Sequence, residues 1–232
     1  MDHWPYGDDG RFVPLDDPRP DDVHWPVAVW PPAPGVHLRG TWVELTPTTL
    51  HDAHGLRLAL DHDHVWQHLV GGPLPDDQVA RQWITAVTDR GWFPWTVTLR
   101  RDVGGRHAGH VVGWSSYLEI SAGDARLEIG NTAYDPAVWG SVVNPETKLL
   151  LLSYAFEELH MGRVQLKTDI RNHRSQAAIA RLGATYEGVL RRYQRRADGT
   201  VRDTVMFSIT AEQWPDVRAA LSDRVTAYDA LA

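Results

Sequence analysis

Apolar and polar residues recur with the periods of strands and helices from residue 41 onward. The segment 41–45 is typical of a first strand. Three helical stretches follow it: one that Thr48 or Thr49 caps and that reaches about residue 61, a short one over 64–69, and one that begins at Pro75-Asp76-Asp77. The front of the chain therefore predicts a strand followed by helices.

The middle of the chain predicts antiparallel strands and then one parallel crossover. The ranges 95–100 and 110–118 are typical of strands, and glycines between them suit a hairpin turn. A further strand covers 125–134. A largely buried helix follows, with Asn144 as N-cap and Pro145 in its first turn; it is predicted to run to His160 and leads to a strand over 164–170. Strand, helix and strand in this order form a right-handed crossover between parallel strands.

The last third predicts a helix, a hairpin and a final helix. Asn172 caps a helix that ends at Gly183, two strands flank Ala197-Asp198-Gly199, and Thr210 caps the last helix. The predicted fold class is α/β, with an α+β mixed sheet of about seven strands in a three-layer arrangement.

Residues 1–36 show neither period and contain eight prolines and a cluster of aspartates. Such a segment cannot build its own core, although Trp4, Trp25 and Trp30 could pin it to the main domain. The sequence predicts an N-terminal extension over 1–36 and one domain over 37–232.

Composition narrows the classes of function. No apolar run is long enough to cross a bilayer, and the acidic N-terminus does not resemble a secretory signal, so we expect a soluble, cytoplasmic protein. The absence of cysteine excludes disulfides, thiolate zinc sites and cysteine nucleophiles. The formal net charge of −7 disfavours nucleic-acid partners and mildly favours cationic ones.

The loop Trp139–Asn144 precedes the buried helix and is a candidate anion site. The start of a helix presents N–H groups without partners and a partial positive charge, and Gly140 would let an anion approach closely. A pyrophosphate would fit there. The alternative is that Gly140 serves only the turn.

The stretch 172–191 carries the pattern N-x-R-S-x-x-A-I-x-R-L-G-A-x-x-E-G-x-L-R. With the loop before it, this pattern resembles the GNAT acetyltransferase superfamily and, within it, the ribosomal-protein N-terminal acetyltransferases (RimJ/RimL), over residues 38–209. The resemblance implies two central parallel strands that splay apart, with acetyl-CoA as co-substrate in the opening and no metal. Two positions depart from the family pattern: Val142 replaces a loop glycine, and Ile179 stands where many members have a tyrosine acid.

The resemblance also assigns the coenzyme contacts. The strand 126–134 would bind the pantetheine arm, and Asn172 would contact it or order the loop beside it. Arg174 is a candidate for a contact with the 3′-phosphate, with surface charge as the alternative. Lys148 is a candidate for a contact with the pyrophosphate, with a snorkelling side chain as the alternative. The coenzyme-binding candidates are Trp139, Gly140, Ser141, Val142, Val143, Asn144, Lys148, Asn172 and Arg174.

Two residues are candidates for catalysis. Glu128, central in its strand, could deprotonate an amine directly or through water, or could be a salt-bridged strand residue. Ser175 resembles the serine that protonates the leaving thiolate in the RimJ/RimL branch, and its alternative role is to support the helix cap.

The resemblance implies that the first helices, including the segment with His64 and Trp66, lie over the site of the amine acceptor. His62, His64 and His68 lie close together, but their spacing matches no closed zinc signature. The substrate-binding candidates are His64, Trp66, Trp95 and Trp114, and for each tryptophan the alternative is core packing.

The sequence as a whole predicts transfer of an acetyl group from acetyl-CoA to a primary amine, either a protein N-terminus or a small molecule. Direct attack is expected because no cysteine is available. The expected partners are acetyl-CoA and the amine, without nucleic acid or membrane, and a homodimer is compatible with the sequence. The alternative is a non-catalytic acyl-CoA-binding or sensing module.

Overall fold

The computed structural model describes residues 11–17, 24, 27–69, 71–196 and 198–230. Its strands form one sheet in the order β1-β2-β3-β4-β5-β6-β8-β7. They are β1 (Leu38–Arg39), β2 (Val43–Pro47), β3 (Phe93–Leu99), β4 (Val111–Ser121), β5 (Arg126–Tyr134), β6 (Arg163–Asp169), β7 (Thr185–Arg195) and β8 (Val201–Thr210). Only β5 and β6 pair in parallel among these strands, which confirms the predicted mixed sheet with one crossover. The additional strand is β1, whose two residues are too short to show an alternation.

Six α-helices complete three layers in the described residues. They are α1 (Ala53–Leu60), α2 (Asp63–Trp66), α3 (Asp77–Asp89), α4 (Val143–Ser153), α5 (His173–Ala180) and α6 (Trp214–Asp229). One buried cluster joins α1, α2 and α3 to the sheet through side chains such as Leu56 and Trp114. A larger cluster joins α4 and α6 to the sheet through side chains such as Leu151 and Val225. The sheet therefore lies between two apolar layers, as its class predicts.

Two of the predicted helix caps are wrong. Asn172 does cap α5, since its Oδ1 accepts the Ser175 N–H at 3.0 Å. Asn144, however, lies inside α4, because the helix begins one residue earlier, at Val143. The Val143 side chain is fully buried in the core. There the Ser141 hydroxyl accepts the Val143 N–H at 3.3 Å. Thr210 does not cap α6 either, which begins after Gln213.

Helix α4 was predicted to continue to His160. Its last part is instead a wider π-helical turn over Tyr154–Glu158. Helix α4 and this turn together bring the chain back to the start of β6, so the crossover connection is short. A π turn inside a helix is uncommon and is accommodated here at its C-terminal end.

A buried carboxylate ties the start of α4 to the first hairpin. Both oxygens of Glu146 accept backbone N–H groups, from Thr41, Trp42 and Val43, each at 2.7 Å. A Cβ at Gly40 would collide with this carboxylate, so the turn between β1 and β2 requires a glycine there. Glu146 thus faces the hairpin turn and fixes the position of α4 against β2.

Part of the N-terminal segment packs against the domain. The Val29 N–H donates to the Leu159 carbonyl at 2.9 Å, and the Trp30 ring lies edge-on to Phe93 at 5.7 Å. Trp4 and Trp25 lie outside the described residues. Every helix in the described part of the chain is too short or too polar to span a bilayer.

Candidate active site

The central parallel strands separate soon after they meet. β5 and β6 pair only through Arg126 with Arg163, Leu127 with Val164, and Glu128 with Gln165. Beyond these pairs β5 continues to Tyr134 and β6 to Asp169. A cavity of about 620 Å³ opens between the two diverging strands and is bordered by the start of α4 and by α5. The predicted splay is confirmed.

A backbone irregularity shapes one wall of this cavity. Asn131 has a φ of 45°, and the pairing of β4 with β5 shifts register between Trp114 and Ser116. Such a bulge bends the strand and re-aims its side chains. Gly130, Asn131 and Thr132 consequently line the cavity in succession.

The charge of the cavity differs from that of the whole chain. Although the chain is acidic overall, basic side chains outnumber carboxylates in the cavity lining. The basic residues are Lys148, Lys167, Arg174, Arg181, Arg202 and Arg224, and the acidic ones are Glu119, Glu128 and Asp169. This excess of cations favours an anionic ligand.

The loop before α4 lies at the cavity, as expected for an anion site. Trp139, Gly140, Ser141 and Asn144 line the cavity, and Gly140 has a φ of 75°, which a side chain would disfavour. Val142 and Val143 instead bury their side chains in the core, so only the backbone of these two residues is available to a ligand. Their burial directs the N-terminus of α4 toward the cavity.

Trp139 and Arg174 meet across the cavity. The guanidinium carbon of Arg174 lies 3.7 Å from the centre of the Trp139 ring, so that a residue of α5 stacks on a residue of the loop. The ring nitrogen of Trp139 donates to the Tyr134 carbonyl at 2.9 Å. The His64 ring packs edge-on against Trp139 at 5.2 Å. These contacts join the loop to α2 and α5.

Glu128 lies where the cavity closes between the strands. Its side chain is 3% exposed, and Lys167 Nζ lies 2.8 Å from its Oε2. Burial raises the pKa of Glu128 above its ordinary value, and the Lys167 ammonium opposes that rise. The carboxylate is therefore enclosed but balanced by a cation.

Lys167, which the sequence analysis missed, is shared between two carboxylates. It also forms an ion pair with Glu119, and its ammonium lies 5.0 Å from the centre of the Tyr193 ring. A sequence signal was present: Gln165, Lys167 and Asp169 place polar residues at alternate positions of a strand whose other face is largely apolar.

Lys148 lines the cavity, but its amine does not point toward the loop Trp139–Asn144. Lys148 Nζ donates to the Ser115 hydroxyl at 2.9 Å and to the Thr132 hydroxyl at 2.7 Å. Burial lowers the pKa of Lys148 to about 7, with Glu128 as a weaker opposing influence. The Lys148 side chain therefore does not make the expected phosphate contact and bonds two hydroxyl groups of the sheet instead.

Asn172 and Ser175 lie on the opposite wall of the cavity. Ser175 uses its backbone N–H for the Asn172 cap, and its half-buried hydroxyl belongs to the cavity lining. Ile179, which supplies no acid, is also in this wall. In this position Ser175 can both support the helix cap through its N–H and present its hydroxyl to the cavity, so both of its candidate roles remain open.

None of the four expected acceptor residues lines the cavity, although neighbours of α2 do. Val65, His68, Leu69 and Trp92 line it, so the segment around α2 does cover this region. The aromatic candidates 66, 95 and 114 do not: the first is 5% exposed and the other two are 0% exposed. The middle strands and α2 hold these three rings inside the apolar layers. The Trp114 ring stacks on Trp83. His64 is exposed outside the cavity lining.

Comparison with known proteins identifies the family. Residues 43–185 match the acetyltransferase (GNAT) domain model. A solved structure from T. thermophilus, described as an acetyltransferase, is 34% identical, with a TM-score of 0.74 over 84% of this chain and 99% of that one. Mycobacterium smegmatis RimJ, solved with CoA-disulfide, shares the fold at 20% identity, with a TM-score of 0.67 over 82% of this chain and 95% of that one.

A curated relative matches over a shorter range. Uncharacterized N-acetyltransferase p20 of Bacillus licheniformis is 30% identical over 106 residues, which are 45% of this chain and 57% of that protein. The matched family range includes β5, the loop before α4 and all of α5. These are the elements that form the cavity, and the chain belongs to the acetyltransferase (GNAT) family.

Proposed function

We propose that this protein transfers the acetyl group of acetyl-CoA directly to a primary amine, with Glu128 as the general base. The observation that carries the proposal is the position of Glu128 at the point where β5 and β6 part. A thioester bound between the strands would present its carbonyl near this carboxylate. Family membership supports acetyl-CoA as the donor.

The cavity fits an acyl-CoA by its chemistry. Its basic excess suits the phosphates, and the start of α4 with Gly140 suits a pyrophosphate. Arg174 has a guanidinium fork that suits a phosphate. Asn131 and Thr132 line the wall along which a pantetheine arm would lie. No described side chain at the loop blocks this path, since Val142 is turned into the core.

The chain's own residues supply two proton-handling positions. Glu128 accepts one proton from the incoming ammonium, and the neutral amine then forms the new C–N bond as the C–S bond breaks. A second proton of the nitrogen passes to the departing thiolate, so the products are the amide and the CoA thiol, and Glu128 returns its proton to solvent. Ser175, on the opposite wall, can donate a hydrogen bond to the departing sulfur. Lys167 favours the ionised form of Glu128, because its ammonium opposes the rise in pKa that burial causes.

The acceptor is either a protein N-terminus or a small-molecule amine. The RimJ/RimL resemblance favours the former, and the partial cover by Val65, His68 and Leu69 leaves room for either. We expect a panel of amino-terminal peptides, polyamines and aminoglycosides, read by mass spectrometry for the gain of one acetyl group, to identify the class.

Glu128→Gln tests the proposal on the acceptor found. We expect kcat/KM to fall by about 10²–10⁴-fold, the usual contribution of a general base. Glu212→Gln, at an exposed turn position, is the matched control and keeps wild-type activity. Full activity of Glu128→Gln would contradict the assignment. Stabilisation by acetyl-CoA without thiol release from any amine would contradict the enzymatic proposal.

A further inference from the structure

Lys148 holds a buried amine that the proposed reaction does not use. Its residue is 5% exposed, and two of its three N–H donors go to the neutral hydroxyls of Ser115 and Thr132. No carboxylate of the described residues forms an ion pair with it. Burial disfavours the ammonium form of this amine, and no ion pair in the described residues stabilises that form.

The choice of lysine at this position is unusual for this chain. Only two of its 23 basic residues are lysines, Lys148 and Lys167, and both line the cavity. Lys167 has Glu119 and Glu128 as partners. Glu128 thus already has an ion-pair partner, and Lys148 is the lysine of the two whose charged form a negatively charged ligand would stabilise.

A second donor in the same wall also lacks an acceptor. The side-chain nitrogen of Asn131 is buried and has no hydrogen-bond partner in the described part of the chain. Asn131 is adjacent to Thr132, which holds the Lys148 amine. Buried donors normally have partners, so a missing acceptor here points to a ligand. Two donors and a positive charge call for an oxygen acceptor that carries negative charge.

The pantetheine and acyl groups of an acyl-CoA are the parts that would pass this wall. The acetyl group brings no charge, whereas an acyl chain that ends in a carboxylate would supply two acceptor oxygens. Such a chain would place them between Lys148 and Asn131 while its thioester stays near Glu128. The negative charges of Glu128 and Glu119 on the far side are offset by Lys167.

We propose that the donor site accepts, besides acetyl-CoA, an acyl-CoA with a carboxylate at the end of its acyl chain, bound by Lys148 and Asn131. This inference rests on the proposed function. The transfer has the same balance as acetyl transfer: Glu128 takes one proton from the ammonium, a C–N bond forms as the C–S bond of the thioester breaks, and a second proton of the nitrogen goes to the thiolate, which leaves as the thiol. The product would be an amide with a free carboxylate.

The test compares succinyl-CoA with butyryl-CoA, which has an acyl chain of the same number of carbons and no carboxylate. Calorimetric Kd values need no acceptor amine. We expect wild-type protein to bind succinyl-CoA at least roughly tenfold more tightly than butyryl-CoA, the effect of one charge-assisted hydrogen bond. Lys148→Met should abolish this ratio, and Asn131→Asp, which adds a like charge and tolerates the positive φ, should reverse it.

Thermal unfolding separates this role from a structural one. Lys148→Met should melt at or above the wild-type temperature, because a buried charge without a partner is replaced by an apolar side chain of similar shape. A wild-type ratio near one, or an unchanged ratio in Lys148→Met, would overturn the inference and leave acetyl transfer standing. Acetyl-CoA is titrated alongside: if neither it nor the two longer acyl-CoAs bound while the protein remained folded, the proposed function itself would fail together with the inference.

Discussion

The Glu146 carboxylate holds three backbone donors, and its removal gives the most direct test of how α4 is positioned. Glu146→Ala leaves the N–H groups of Thr41, Trp42 and Val43 without their acceptor, each of which was bonded at 2.7 Å. The last two lie in residues that are 4% and 0% exposed. Water can therefore replace the lost acceptor at Thr41 more easily than at the other two.

The expected loss follows from opposing contributions. Hydrogen bonds to a charged group contribute about 1.5–3 kcal/mol each, and the variant regains the free energy of desolvating one carboxylate. We expect the free energy of unfolding to fall by about 3–5 kcal/mol, within the range for one broken buried network. For a chain of this length that corresponds to a decrease in Tm of roughly 6–20 °C.

Differential scanning calorimetry at neutral pH measures this change, with urea unfolding as a second method. Glu212→Ala removes an exposed carboxylate and should change the unfolding free energy by less than about 0.5 kcal/mol. Glu146→Gln keeps the shape and one acceptor oxygen, so we expect a loss between those of the two alanine variants. A Tm of Glu146→Ala within about 2 °C of wild type would refute the reasoning, since it is below the smallest loss expected.

Two further predictions concern the cavity. Lys167→Met removes the cation 2.8 Å from Glu128, so the pKa of this base rises and the acidic limb of the kcat/KM profile moves to higher pH by about one to three units. Lys167→Arg keeps a cation and should move the limb less. Superimposable profiles for wild type and both variants would count against the ion pair. Arg174→Ala removes the guanidinium stacked on Trp139, and we expect CoA to bind roughly tenfold more weakly by calorimetry, with a change in tryptophan fluorescence. Unaltered affinity would show that Arg174 serves the loop alone.

The features that sequence predicted correctly depend on local chemistry. The Asn172 cap, the helix that begins at Asp77 and the hairpin around Asp198 each follow from residues a few positions apart. The parallel crossover follows from the order of strand, helix and strand. Local patterns also singled out the loop before α4, because Gly140 and the helix start are neighbours in sequence, and the structure places this loop at the cavity.

Other features depend on positions that are distant in sequence. Lys167 and Glu119 are separated by 48 residues and meet only through the pairing of β4, β5 and β6. The start of α4 was misplaced because burial of Val143 outweighed the capping preference of Asn144. Trp95 and Trp114 were considered for the acceptor groove, yet their strands lie at the middle of the sheet, where both faces are covered.

The early separation of β5 from β6 leaves peptide groups on the facing edges of the two strands without a strand partner, whereas their other edges pair with β4 and β8. An exposed strand edge can pair with a strand of another chain, which is a route to aggregation. Here the two facing edges border the cavity, beside the start of α4 and α5. A ligand that completed this ladder would have to be thin enough to enter between the strands and would need hydrogen-bonding groups of its own.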